Sequence, residues 1–338
     1  MDLILKPTQR CNFACTYCSS TDIAKSNSSK DDLEIGKIFR FLDRYPDTKH
    51  IIINGGDPLV MPVVYYEEIL SYLKEKEISA KLLFCSNLWD FYRNPQKWLK
   101  LFQHERVEIG TSFNFGEERE IRNGKYLTKN LFLEIMYKCK ELLGFFPSFV
   151  SVMTRKNEKY FLKNIELAKE FGVECKLNFQ VMSGSSSESF PIGRAYNRYL
   201  DIFEAGLADY EFNTKQLLKR LKGSLDTICP QKRNCDEGIR NLQPLSSSGY
   251  EYGSCGAFGD DQEYGISFEN EMSGGFELPL SNQTEVQYQK EECLSCVNFN
   301  ICNSCYKTVR DHKKAELVEE SCLEMKSFRK RAIELGLV

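Results

Sequence analysis

Fourteen cysteines in a chain of 338 residues make sulfur the natural place to begin. Three of them read Cys11-x3-Cys15-x2-Cys18, and a second group, Cys229, Cys235, Cys255, Cys293, Cys296, Cys302, Cys305 and Cys322, crowds the C-terminal third. Three thiolates cannot close a four-ligand site. A four-iron cluster ordinarily takes four cysteines, so a triad leaves one iron open to a small molecule. A zinc site short of a ligand, or three structural thiols, would also account for the triad taken alone. The C-terminal group could complete two four-ligand sites. Its run Cys293-x2-Cys296-x5-Cys302-x2-Cys305, followed by Cys322, has metal-ligand spacing that suits zinc as well as iron and sulfide. Cys85, Cys139 and Cys175 are left over and read as small buried hydrophobes.

The elements that must position these sulfurs follow from periodicity. Short apolar runs alternate with longer amphipathic ones, as in a parallel sheet joined by crossover helices. Strands are expected at Leu3–Leu5, Ile51–Ile53, Lys81–Cys85, Val107–Thr111, Ser148–Met153 and Glu174–Phe179. Helices are expected at Asp31–Tyr45, Val63–Lys76, Tyr126–Leu143, Tyr160–Phe171 and Thr214–Leu225. Six units fall short of the eight that close a barrel, so the expected fold is α/β, a partial (βα)6 TIM-like barrel open on one side; a doubly wound sheet is the alternative. In both, ligands sit beyond the carboxyl ends of the strands, and Cys11 lies just after the first. Ser183–Phe190 has loop composition. From Ile228 to Met325 the chain is loop-rich, with too little core to stand without metal coordination. The division is therefore a barrel over residues 1–225 and a cysteine-rich domain over 226–338.

A net charge of −3 with both signs mixed throughout advertises no nucleic-acid surface. No signal segment opens the chain and no stretch is apolar for long enough to span a bilayer, which points away from membranes and to the cytoplasm, where thiols stay reduced. Partners are then peptides or small molecules.

The triad, with aromatic Tyr17 before its last cysteine, resembles the signature of radical S-adenosylmethionine (radical SAM) enzymes. The resemblance implies that a [4Fe-4S] cluster on Cys11, Cys15 and Cys18 binds SAM at its open iron, and that one electron from an external low-potential donor splits SAM to a 5′-deoxyadenosyl radical. It also implies an open six-stranded barrel. Asn54-Gly55-Gly56-Asp57-Pro58 resembles the family's Gly-Gly-Glu-Pro motif, whose backbone holds the SAM amino group, with Asp57 replacing glutamate. Ser86-Asn87 resembles Thr-Asn-Gly, with Leu88 where glycine is common. Thr111-Ser112-Phe113-Asn114 and the downstream Arg122 resemble the segment in which a serine contacts the ribose and an arginine the SAM carboxylate; read without the resemblance, Arg122 belongs to a solvated charge cluster. Tyr17 matches the residue that lines the adenine site. Pro191-Ile-Gly-Arg-Ala195 is similar to a stretch frequent after the sixth strand in peptide-modifying members.

The C-terminal cysteines resemble the SPASM extension, which carries two auxiliary [4Fe-4S] clusters. Carried over, the first would use Cys229, Cys235, Cys255 and Cys305, and the second Cys293, Cys296, Cys302 and Cys322. Members of this kind mostly modify peptides or proteins. The reading is a maturase of a ribosomally made peptide that installs a crosslink, a thioether or an epimerised centre, with the precursor gripped by the barrel mouth, the Ser-rich loop or a separate recognition protein. Anaerobic sulfatase maturation is the alternative, but there an aspartate follows the third cysteine of the first auxiliary cluster, and here Gly256 follows Cys255. Asp260, Asp261 and Tyr252 are the nearest candidates for a base, the two aspartates being equally readable as solvated turn residues. A non-catalytic electron carrier or zinc adaptor is the third reading, and an open triad beside Gly55-Gly56 argues against it.

Overall fold

In the computed structural model, which describes residues 1–18, 32–121, 124–183, 186–223, 239–246, 249–253, 259–260, 265–274, 295–302 and 306–338, the short apolar runs become strands that bury alternate residues. β1 (Asp2–Leu5) buries Leu3 and Leu5, β2 (His50–Ile53) buries Ile51 and Ile53, and β3 (Lys81–Cys85) buries Leu82 and Phe84. β4 (Val107–Ser112) follows, then a short antiparallel hairpin of β5 (Glu120–Ile121) and β6 (Lys125–Tyr126), then β7 (Ser148–Met153) and β8 (Cys175–Phe179). In-register parallel pairing, Leu3 with Ile51 and Ile51 with Leu82, puts the buried residues of successive strands on one face. The strand order β1-β2-β3-β4-β7-β8 never reverses, as a doubly wound sheet would require.

Two further strands join this sheet from far along the chain. β9 (Ile239–Leu242) runs parallel to β1 on the side away from β2, with Asp2 opposite Ile239, and β10 (Tyr252–Gly253) pairs antiparallel with β9. The eight-stranded sheet stays open, since β8 and β10 are its unjoined edges.

Helices connect the strands: α1 (Ile35–Arg44), α2 (Val63–Glu75), α3 (Trp89–Arg93), α4 (Pro95–Phe102), α5 (Lys129–Leu143) and α6 (Phe161–Phe171). α5 starts later than the periodicity suggests because Tyr126 is taken by the hairpin and Thr128 caps the helix through the Leu131 amide at 3.3 Å. It ends on Gly144 in the left-handed region (φ 86°). α7 (Ile192–Glu204) and α8 (Phe212–Leu221) close the barrel half.

The cysteine-rich third contributes α9 (Phe268–Met272), α10 (Phe299–Cys302), α11 (Tyr306–Lys314) and α12 (Val318–Glu334). α12 lies along α7. A Cβ on Gly193 would come within 2.3 Å of the Ser321 carbonyl oxygen, so only glycine admits this approach. The Gly193 amide donates to Ser321 Oγ at 3.1 Å, Asn197 Nδ2 to the Glu324 carbonyl at 2.9 Å, and Tyr196 meets Phe328 edge-on at 5.5 Å. The Pro-x-Gly-Arg-Ala stretch thus acts as the seat of the C-terminal helix. Among the described residues no helix is long and apolar enough to cross a membrane.

One leftover cysteine departs from expectation. Cys139 and Cys175 are buried, whereas Cys85 is exposed, because its odd position in β3 turns it to the face opposite Leu82 and Phe84.

Candidate functional site

β1 delivers the chain to the cysteine loop, and three neighbouring strand ends hold that loop in place. From β4's far side, the Ala14 amide donates to the Glu120 carbonyl at 2.7 Å, the Thr16 amide to that of Glu118 at 3.0 Å, and Phe13 bridges Ile121. The loop is therefore one strand of an extended ladder against residues 118–121. The Cys18 amide turns back to the Cys15 carbonyl at 3.2 Å.

From the end of β2, the Gly56 amide donates to the Thr8 carbonyl and the Asp57 amide to that of Arg10, both at 2.9 Å. This explains the glycine pair. A Cβ on Gly56 would lie 2.0 Å from the Arg10 carbonyl oxygen, and one on Gly55 (φ +112°) 2.4 Å from that of Thr8. The close approach is to the cysteine loop's own backbone.

Asp57 is buried and spends its carboxylate inward. It accepts from the Leu59 amide at 2.9 Å, Ser86 Oγ at 3.0 Å and the Asn87 amide at 2.8 Å, tying the ends of β2 and β3 together. Asn87 in turn reaches the cysteine loop, donating to Asn12 Oδ1 at 2.7 Å with Cys11 Sγ at 3.8 Å.

Burial pushes the Asp57 carboxyl up to about 6, against the hydrogen bonds that favour its charge. The folded state then keeps a proton that the unfolded chain has lost above about pH 4, so this group's contribution to stability falls as pH rises from about 4 to 6. Asp57→Asn sets an amide against the Asn87 N–H and is expected to cost the apoprotein roughly 1–3 kcal/mol, the price of a buried donor left unmade. Denaturant unfolding across that pH window checks both points: the gap between wild type and variant should narrow as pH rises.

The fourth strand end supplies Ser112, Asn114 and, from the hairpin, Arg119. Arg119 donates to Ser112 Oγ at 2.7 Å and to Tyr17 Oη at 3.1 Å, while Tyr17 Oη donates to Asn114 Oδ1 at 2.6 Å. Arg122, the arginine expected here, lies outside the described residues. Arg119 was missed because Glu117-Glu118-Arg119-Glu120 reads as a solvated charge run, and spacing alone does not reveal which hairpin residue turns inward.

Cys15 is 8% exposed, and Cys11 and Cys18 are half-buried. Burial raises the Cys11 and Cys15 thiols, while Arg119 pulls Cys15 down. Cys15 and Cys18 add to the rise at Cys11, and Cys18 adds to that at Cys15. Among the described residues no three His, Cys, Asp or Glu side chains gather as tightly as a single metal ion demands. A cubane spreads its ligand sulfurs several ångströms apart, so an all-sulfur triad on one loop fits a cluster better than an ion.

At the same strand ends, five buried polar atoms have no hydrogen-bond partner: Gln9 Oε1, Asn54 Oδ1, Thr111 Oγ1, Asn114 Nδ2 and Arg119 Nε. A cavity of about 1010 Å³ lined by Trp89, Tyr92, Phe113, Phe115 and Tyr160 opens beside Asn114.

Of the candidate bases, Asp260 is held by buried Lys6, which follows β1, at 2.5 Å. Tyr252 is fully buried in β10, against the rings of Phe41 and Phe268 at 6.2 and 6.1 Å. Asp261 lies outside the described residues, as do Cys229, Cys235, Cys255, Cys293 and Cys305. Cys296 is exposed, and Cys302 and Cys322 are half-buried on α10 and α12. Asn298 Nδ2 donates to the Met325 carbonyl at 3.2 Å, which ties the Cys296–Cys302 segment to the helix that carries Cys322.

The family model described as the Radical SAM superfamily matches residues 5–191. An uncharacterised protein of Methanocaldococcus jannaschii is 26% identical over 227 residues, 65% of this chain and 76% of that protein. GTP 3′,8-cyclase of Campylobacter lari is 26% identical over 172 residues, 49% of this chain, and the match spans about half (51%) of the cyclase. Among solved structures, anSMEcpe, an anaerobic sulfatase-maturating enzyme with bound AdoMet and Cp18Cys peptide, superposes with a TM-score of 0.67 at 17% identity, over 98% of this chain and 96% of that one. SuiB of Streptococcus suis bound to S-adenosylmethionine gives 0.59 at 14% identity, over 89% and 72%. At these identities the superpositions establish a common fold.

Proposed function

Because the chain belongs to the radical SAM superfamily, a family of enzymes that implies a 4Fe–4S cluster and SAM, we propose that it modifies a ribosomally made peptide by hydrogen abstraction, installing a crosslink, a thioether or an epimerised centre. The observation that carries this reading is the convergence of the ends of β2, β3 and β4 on the Cys11–Cys18 loop, with unpartnered buried polar atoms at the same strand ends. Bound at Cys11, Cys15 and Cys18, a 4Fe–4S cluster with SAM on its open iron would supply a 5′-deoxyadenosyl radical.

The chain's own residues hold and orient. Gly55 and Gly56 press the β2 loop onto the cysteine loop and leave its backbone for the SAM amino group. Asp57 and Asn87 keep that loop registered. Tyr17, its hydroxyl fixed by Asn114 and Arg119, offers a ring to the adenine. Ser112 would meet the ribose, and Arg119 takes the carboxylate role that the sequence assigned to Arg122. The aromatic cavity beside Asn114 has the size and lining of a ligand site and would admit the peptide.

The reading extends to a SPASM domain over 226–338 with two auxiliary 4Fe–4S clusters, one on Cys229, Cys235, Cys255 and Cys305, the other on Cys293, Cys296, Cys302 and Cys322, behind a barrel over 1–225. It requires a low-potential electron donor and suits the reducing cytoplasm, and a separate recognition protein would present the precursor. Asp260, oriented by Lys6, is the carboxylate best held to accept a proton when a substrate radical is oxidised.

Anaerobically reconstituted protein is expected to contain iron and sulfide, to form 5′-deoxyadenosine with a reductant, and to leave a Cys-x-Pro-x-Arg peptide unchanged by mass spectrometry. Formylglycine at that cysteine, lost in Asp260→Ala, would instead establish sulfatase maturation. Stoichiometric zinc without SAM cleavage would sink both.

A further inference from the structure

We propose that Arg119 is the fixed countercharge of the cysteine triad and raises the reduction potential of the cluster held there. The inference rests on the triad being a cluster site, and it concerns the protein before SAM arrives.

The register of the ladder makes the case. With Ala14 bonded to Glu120 and Thr16 to Glu118, Cys15 lies directly across from Arg119. Arg119 is 6% exposed, and its guanidinium carbon sits 5.7 Å from the centre of the Phe13 ring. Its hydrogen-bond partners, Ser112 Oγ and Tyr17 Oη, are neutral, and its Nε has none. Among the described residues no carboxylate pairs with it. Glu118, next in sequence, turns its oxygens to Thr154 at 2.9 Å and Asn157 at 2.7 Å, and Asp57 turns its own to Ser86 and two backbone amides.

A buried cation without an anionic partner is costly, and a fold keeps one where a negative charge answers it. A guanidinium keeps its proton even when buried, so Arg119 is a fixed positive charge. A cluster carried by three thiolates is anionic, and reduction by one electron makes it more so without breaking or forming a bond. A fixed positive charge facing the triad favours the reduced form, and fixed charge and hydrogen bonding around the sulfurs are among the levers that set such potentials. Asp57, beside Cys11, and Glu118, beside Cys15, oppose it. Arg119 is in this sense a positioning and tuning residue.

The test uses SAM-free holoprotein, reduced stepwise with dithionite and mediators and followed by electron paramagnetic resonance, the triad's signal being the one absent from Cys15→Ala. At the wild-type midpoint, Arg119→Met should lower the ratio of reduced to oxidised cluster about tenfold, equivalent to about 59 mV for one electron. Arg119→Lys should recover most of that change. An unchanged midpoint in the Met variant, or a Lys variant displaced as far, would overturn the proposal and leave Arg119 a hydrogen-bonding group only. If the Met variant lacks the Cys15-dependent signal, Arg119→Gln replaces it: loss of that signal from both neutral variants with retention in Lys supports the countercharge, and loss from all three overturns it. Wild-type protein with no signal dependent on Cys15 would refute the cluster reading itself, and this one with it.

Discussion

Alanine at Cys11, Cys15 and Cys18 together is expected to bring 5′-deoxyadenosine formation below detection while the C-terminal cysteines still bind iron. The two cysteine sets lie in separate stretches of chain, and each would carry its own metal. The triad's loop is anchored mainly by backbone bonds, from Gly56, Asp57, Ala14 and Thr16, none of which uses a sulfur. The triple variant should therefore fold and keep most of its iron, with the missing share corresponding to one cluster. Anaerobic iron and sulfide counts together with chromatographic detection of 5′-deoxyadenosine check this. SAM cleavage at the wild-type rate would contradict the assignment.

Gly56→Ala is expected to have nearly as large an effect without touching a ligand. Its methyl group would be driven to 2.0 Å from the Arg10 carbonyl oxygen, with the carbonyl oxygen of Gln9 at 2.5 Å, and backbone atoms cannot swing aside as a flexible side chain does. The loop after β2 would have to lift away, breaking the hydrogen bonds that the Gly56 and Asp57 amides donate to the Thr8 and Arg10 carbonyls. A cost of roughly 3 kcal/mol, at the upper end for overpacking, is expected in apoprotein unfolding. Iron uptake at the triad should fall with it. Gly124→Ala offers a contrast, since nothing stands within 4 Å of the Cβ there, although its positive φ carries a smaller strain of its own.

The six strands that form the barrel half are legible because each carries a short apolar or β-branched run that can be read without its neighbours, as in Leu3–Leu5 and Ile51–Ile53. β9 is not: Ile-Arg-Asn-Leu has no apolar run, and its strand character comes wholly from pairing with β1. α12 is hard to read in the sequence because Val318–Glu334 is largely charged and its buried side, Ser321, Met325, Phe328 and Ala332, is set by packing on α7. At the site, motif spacing picks out Cys11, Gly56, Asn87 and Ser112, whose loops the structure brings together, but it does not reveal two packing roles. Gly55 and Gly56 are required by the packing of one loop on another, and Asp57 by the joining of two strand ends. Arg119 was hidden by its acidic neighbours, because whether a charged side chain faces water or the interior is decided by tertiary register and not by composition.

The pairing of β1 bears on how the molecule is made. Asp2–Leu5 leads into the cysteine loop, and one of its two edges is completed only by Ile239–Leu242, where the Lys6 amide also donates to the Leu242 carbonyl at 2.9 Å. During synthesis this strand must wait for more than two hundred further residues before that edge is covered. Until then it is an unpaired template on which another chain could add, and the entropic cost of closing so long a loop makes its docking a late event. The Cys11–Cys18 loop is gripped by residues 56–121, so its sulfurs can be seated while the strand that leads into them still has one edge bare.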